Sequence, residues 1–191
     1  MSFSQGGQIM RQDDPATAGD PWIDLSTPFN RRIWPAPTPP DGGSAGHLAR
    51  AAAARLGCDP AQVRAVADAR KAFLRLPAGR AAVLGRSASG HAARLRAAGW
   101  QVTQVTGIGA MAGADLAVVV NPNDPDGRDW PPEALIGLAR RVGHLVVDEG
   151  FADARPDLSL APALPVNAIL LRSLGRFGGC RGRTCWWLTR R

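Results

Sequence analysis

The sequence contains no tyrosine, and of its 23 basic residues only Lys71 is a lysine. A reaction that needs a side-chain amine therefore has one candidate. No apolar run approaches the roughly eighteen residues a membrane helix requires, and Met1 to Asp14 is polar, so neither a span nor a signal peptide is legible. The expectation is a cytoplasmic protein with no membrane partner. Cys58, Cys180 and Cys185 are odd in number and lack both CxxC spacing and neighbouring histidines, which argues against a disulfide framework or a bound metal. Acidic residues are absent after Asp157, whereas Arg172, Arg176, Arg181, Arg183, Arg190 and Arg191 all follow it, so much of the net charge of +7 gathers at one end. What is present, 191 residues that are 45% hydrophobic and 20% charged, suffices for one main globular core.

The chain opens irregularly, with Asp13-Asp14-Pro15, Gly19-Asp20-Pro21 and the prolines 35, 37, 39 and 40 forbidding long elements. A helix is expected from Ser44 to Leu56, closed by Gly57, and a second from Asp59-Pro60 to about Leu76. Alternation follows: a strand at Ala81 to Leu84, a helix from His91 to Ala98, a strand from Trp100 to Val105 and an apolar strand from Leu116 to Val120. A helix from Pro131 to Val142 and strands at Leu145 to Val147 and Ala168 to Leu171 complete the pattern. Strand, helix, strand in repetition predicts a parallel sheet with helices on its faces.

In such sheets ligands sit at the carboxyl ends of the strands. Asn121-Pro122-Asn123-Asp124-Pro125-Asp126-Gly127 follows the first buried strand, Asp148-Glu149-Gly150-Phe151 the next, and Arg172-Ser173-Leu174-Gly175-Arg176 the third. Each alone is an ordinary turn, helix cap or solvated arginine pair. Three in succession on adjacent strand ends form a specific constellation.

With Asp24-Leu25-Ser26-Thr27 and Pro131-Pro132-Glu133-Ala134-Leu135, these segments resemble the class I/II aminotransferase superfamily of fold type I pyridoxal-phosphate enzymes. Within it they are most similar to the threonine-phosphate decarboxylase branch of cobalamin biosynthesis, with the histidinol-phosphate aminotransferases as near relatives. The resemblance implies an α/β fold, a parallel-rich sheet with helices on both faces like the large domain of these enzymes, without their small C-terminal domain. The expected divisions are an extended N-terminal arm over 1–43, a partial large domain over 44–177 and an atypical tail over 178–191. It also implies pyridoxal 5′-phosphate as cofactor and a phosphorylated amino acid as substrate, decarboxylated or transaminated, and it allows a homodimer. Nucleic acid is disfavoured as a partner, because the basic charge lies on no recognisable binding motif.

Carried over by position, Asp148 corresponds to the partner of the pyridinium nitrogen and Ser173 to the phosphate-binding serine. Asp124, beside Asn123, stands where the family has the asparagine that meets the ring oxygen. Arg176 stands at the Schiff-base lysine, and a guanidinium stays protonated and cannot take that role. Ala88 replaces the stacking aromatic, Asp68-Ala69-Arg70-Lys71 the phosphate loop, and Thr184, beside Arg183, the phosphate arginine. These departures predict a chain with little or no such activity, or a non-catalytic partner of an active homologue. A shift of coding frame after Phe177 is the expected origin of the tail: bases encoding Gly178-Gly179-Cys180-Arg181-Gly182, shifted by one, can encode Trp-Gly-Leu-Pro-Gly, as the family would have it. The nucleotide sequence tests this, and finding no downstream frame that encodes the remaining domain would refute it.

Overall fold

A strand with no polar face is stable only inside a sheet covered on both sides. Leu116–Val120 (β4) is such a strand, buried along its whole length, and His144–Asp148 (β5) and Ala168–Ser173 (β6) are buried except at their ends. The computed structural model describes residues 45–66, 75–85, 87, 90–173, 176 and 185–189. Around these three strands it places Val63–Val66 (β1), Arg80–Leu84 (β2), Gln101–Val105 (β3) and Cys185–Thr189 (β7), giving one sheet in the order β1-β7-β6-β5-β4-β2-β3. Strands β3, β2, β4, β5 and β6 pair in parallel, and β7 runs antiparallel to both β6 and β1.

Side chains alternate between the faces of a strand, and two cores result. On one face Ala82, Leu84, Ala117, Val119, Leu145, Val147 and Leu170 pack with Ala52, Ala53 and Leu56 of helix α1 (Ala45–Leu56) and Leu135 and Leu138 of helix α3 (Pro132–Ala139). On the other, Ala81, Val83, Leu116, Val118, Val146 and Leu171 pack with Leu95 of helix α2 (His91–Ala97) and with Trp100. Helices thus lie on both faces of a parallel-rich sheet. None among the described residues is long and apolar enough to cross a membrane.

The helix expected from Asp59 to Leu76 does not form over Asp59 to Val66. Asp59 caps a short 3-10 turn at Pro60–Gln62, accepting from the Ala61 N–H at 2.8 Å, and the chain then enters β1. Val63 and Val66 are β-branched and stiff, and a strand that gains β7 as partner outweighs weak local helix preference. Residues 67–74, the rest of that expected helix, lie outside the described residues, as does the arm over 1–43. Helix α3 stops at Ala139, short of the expected Val142, because the Arg141 N–H closes a tight turn on the Leu138 carbonyl at 2.8 Å. That turn brings Gly143 so near the Asp115 backbone that a Cβ would stand 2.6 Å from its carbonyl oxygen. Of the tail expected over 178–191, residues 185–189 are β7, inside the sheet between β1 and β6.

Two outcomes follow for stability. A Trp187→Pro substitution, in register with Arg64 on one side and Leu171 on the other, removes a ladder donor and leaves a carbonyl unpaired at a cost of about 1–3 kcal/mol. A urea unfolding midpoint equal to that of the parent would contradict the placement of β7. At the opposite rim, the Arg80 N–H donates to Asp115 at 2.8 Å and, with the guanidinium, holds its carboxyl below the usual value. A depressed folded value stabilises above the unfolded value of about 3.9 and loses that contribution as pH falls through the folded one. The stability difference between parent and Asp115→Asn is therefore constant near neutrality and shrinks below about pH 4, read from urea midpoints across pH.

Candidate functional site

Parallel pairing brings the strand ends into line. Val120 pairs with Asp148, and Asp148 with Leu171; one residue further, the Asn121 N–H donates to the Asp148 carbonyl and the Glu149 N–H to that of Leu171, each at 2.9 Å. The chains leaving β4, β5 and β6 thus diverge from one rim, which is where an open α/β sheet takes its ligands.

Asp148 on that rim is braced on both carboxylate oxygens. Its Oδ1 accepts from the Gly150 N–H at 3.0 Å, and its Oδ2 lies 2.8 Å from His91 Nε2. An ionised carboxylate only accepts, so the imidazole donates. The histidine side chain is fully buried while 20% of the Asp148 side chain remains exposed, so the carboxylate is oriented from beneath and still reachable from outside. His91 opens α2 after β2, and β4 lies between β2 and β5, so the bond ties the segment after β2 to the end of β5 across the intervening strand. Sequence reading treated His91 only as the start of a helix; its place just past a parallel strand end was the available signal.

The loop after β4 is held by its own side chains. Asn121 is buried and clasps Trp130 twice, its Oδ1 accepting from the backbone N–H and its Nδ2 donating to the carbonyl, both at 3.0 Å. Asn123, expected beside the cofactor, is also buried and donates from Nδ2 to Asp126 at 2.7 Å, so its amide N–H shapes the loop. That bond, with the Arg128 N–H, holds the Asp126 carboxyl below its ordinary value. Asp124 is half-buried at the turn between them.

Glu149 and Arg172 turn the other way, into the protein. Their side chains form a buried ion pair at 2.9 Å, and the carboxylate also accepts from the Leu160 N–H at 2.7 Å and the Ser159 hydroxyl at 2.9 Å. Arg172 adds a bond to Asp153 at 3.2 Å. Burial pushes the Glu149 carboxyl up, against the opposing pull of the guanidinium and the two hydrogen bonds. Both residues came from segments picked out in the sequence, and both are internal supports.

Ser173 ends β6, half-buried, in register with Cys185 of β7. Arg176 lies with its guanidinium carbon 4.3 Å from the centre of the Phe151 ring, a cation–π distance. Phe151 follows Asp148 by three residues, so the stack ties the segment after β6 to the segment after β5. The phenylalanine was not singled out in the sequence. Asp24 to Thr27, Asp68 to Lys71, Ala88, Arg183 and Thr184 lie outside the described residues.

The solved L-threonine-O-3-phosphate decarboxylase of Porphyromonas gingivalis shares this fold with a TM-score of 0.62 at 19% identity, over 76% of the present chain and 50% of its own. A histidinol-phosphate aminotransferase from Sinorhizobium meliloti in complex with pyridoxal-5′-phosphate matches with a TM-score of 0.59 at 23% identity, over 76% and 47%. No family model matches. The threonine-phosphate decarboxylase of Pseudomonas aeruginosa is 34% identical over 183 residues, 84% of the present chain. The chain has the fold of the large domain of fold type I pyridoxal-phosphate enzymes and is similar in sequence to threonine-phosphate decarboxylases. It spans 54% of the length of the Pseudomonas relative.

The cofactor this family uses asks for an anion at its ring nitrogen and an amine at its aldehyde. Asp148, braced on both oxygens and exposed on one side, suits the first requirement. The second is not met among the described residues, where no lysine occurs. The described residues therefore fit the ring and do not fit its covalent attachment.

The buried pair yields a test of its own. Arg172→Met strands Glu149 without its counter-charge and is expected to cost about 3–5 kcal/mol, measured by urea unfolding. Adding Glu149→Met is expected to recover part of that loss, and a double variant less stable than the single one would show that the pair is not the reason.

Proposed function

We propose that this chain is a threonine-phosphate-decarboxylase-like member of the fold type I family that keeps the ring-facing carboxylate and lacks the covalent anchor, so that it holds the cofactor without turning over substrate. The carrying observation is Arg176 stacked on Phe151 beside the Asp148 segment. A guanidinium has five donors, no acceptor and no accessible neutral form, so it neither attacks an aldehyde nor shuttles a proton.

In this reading Asp148 meets the pyridinium nitrogen with His91 fixing its orientation, Ser173 meets the phosphate, and Asp124 faces the ring oxygen with a charge where the family has an amide. Asn123 serves by shaping the loop that presents Asp124. Pyridoxal 5′-phosphate is the cofactor, and the substrate class inherited from the relatives is a phosphorylated amino acid. The setting is cytoplasmic, and a homodimer or a pair with an active homologue is the expected assembly.

With added pyridoxal 5′-phosphate and L-threonine O-3-phosphate, the purified chain is expected to release no aminopropanol phosphate above the protein-free control, and with histidinol phosphate no transamination product. Turnover with either, lost on Asp148→Asn, would show that the chain is an active enzyme and overturn the proposal.

A further inference from the structure

We propose that residues 152–164 form a strap that opens as one unit while the sheet stays folded, and that the buried Glu149–Arg172 pair is the latch that keeps it shut. Such a device needs no ligand, so it stands apart from the function proposed above.

The strap is a run of 3-10 turns, at Ala152–Ala154, Pro156–Leu158 and Ala161–Ala163. Its backbone bonds are local. The Arg155 N–H donates to the Ala152 carbonyl, that of Leu158 to Arg155, that of Ser159 to Pro156 and that of Ala163 to Leu160, all at 3.0–3.2 Å. Among the described residues, no backbone hydrogen bond joins 152–164 to a strand or an α-helix. Turns of this kind have poorer hydrogen-bond geometry than an α-helix, so they add little of their own. On the apolar side the strap is held by Ala152, Leu158, Leu160, Ala161 and Leu164, all buried. Leu160, Ala161 and Leu164 belong to the core shared with α1 and α3.

The polar fastenings converge on one pair. Glu149, just past β5, accepts from the Leu160 N–H at 2.7 Å and from the Ser159 hydroxyl at 2.9 Å, and Arg172 of β6 lies 2.9 Å from the same carboxylate. Arg172 extends the hold to both ends of the run, its Nη1 donating to Asp153 at 3.2 Å and its Nη2 to the Ser159 hydroxyl oxygen at 3.1 Å. Another tie, from Arg155 to Asp129 at 3.1 Å, is an exposed ion pair, and exposed pairs contribute little. Breaking the buried pair therefore frees Asp153, Ser159 and Leu160 together, which is what makes a stretch open cooperatively.

The latch is also imperfect when closed. Arg172 Nε is buried and has no acceptor among the described residues, a cost that water would relieve on opening. Glu149 lies between Asp148 and Gly150, whose N–H braces the Asp148 carboxylate, so a shut strap also steadies the turn at the rim.

The test is hydrogen exchange of the full chain, read by mass spectrometry on peptides covering the strap and on peptides covering β4, in water and in low urea. In the parent the strap is expected to exchange faster than β4, at a rate that low urea hardly changes, because a local opening exposes little surface. Arg172→Met is expected to speed exchange of the strap by roughly a hundred- to several-thousandfold, the cost of stranding one partner of a buried pair expressed as a rate. Arg172→Lys keeps a charge for Glu149 but lacks the fork that also reaches Asp153 and Ser159. It should fall between parent and Arg172→Met, and it serves where the methionine variant does not fold. Val118→Ala, in the buried β4, should speed exchange of β4 and leave the strap unchanged.

A strap that exchanges together with β4, with the same urea dependence and the same response to Val118→Ala, would show that it opens only when the sheet unfolds, and would overturn the proposal. Strap exchange left unchanged by both Arg172 variants would mean that the pair is no latch and would overturn it equally.

Discussion

The in-line pairing of Val120, Asp148 and Leu171 across three parallel strands is the constraint on which the rest of the site depends. Backbone hydrogen bonds in a doubly covered sheet have no water to turn to, so the register is held by every donor and acceptor at once. A slip by one residue would exchange the two faces of a strand and carry Val147 and Leu170 out of the core they share with α1 and α3. It would also move Asp148 out of reach of His91. The position of the carboxylate is therefore secured by many apolar contacts.

Two acidic residues adjacent in sequence show how burial divides roles. Asp148 keeps one side open and is braced by a histidine and a backbone N–H, while Glu149 is enclosed and neutralised by Arg172. The buried pair joins the ends of β5 and β6 to the loop at Ser159 and Leu160, which fixes the ground beneath the exposed carboxylate. Removing either partner of such a pair is costly, although replacing both by apolar groups need not be.

Much of the fold was legible from apolar runs. Leu116 to Val120 and Leu145 to Val147 have no polar face, and Gly57 and Gly99, both with positive φ, mark helix ends that the chain respects. The largest departure has a long-range cause, since contacts distant in sequence override local preference. Val63 to Val66 extends because β7 is there to receive it, which no window around Asp59 could reveal. The three strand ends bearing Asn121, Asp148 and Ser173 were readable because each follows its own strand. His91 and Phe151 were not, because each acquires its role from a residue elsewhere in the chain, Asp148 for one and Arg176 for the other. Asn123 is expected at the ligand on motif grounds, and its Nδ2 donates to Asp126, three residues on.

The position of β7 also sets the order of assembly. Among the described residues β1 pairs only with β7, and that pairing joins strands far apart in the chain. On the ribosome, β1 is made early, yet its partner arrives only after residues 185–189 have emerged. During that interval both β1 and the outer side of β6 are open edges, able to pair with another chain. Late closure of the sheet thus leaves nascent copies of this protein open to association with one another until residues 185–189 have emerged.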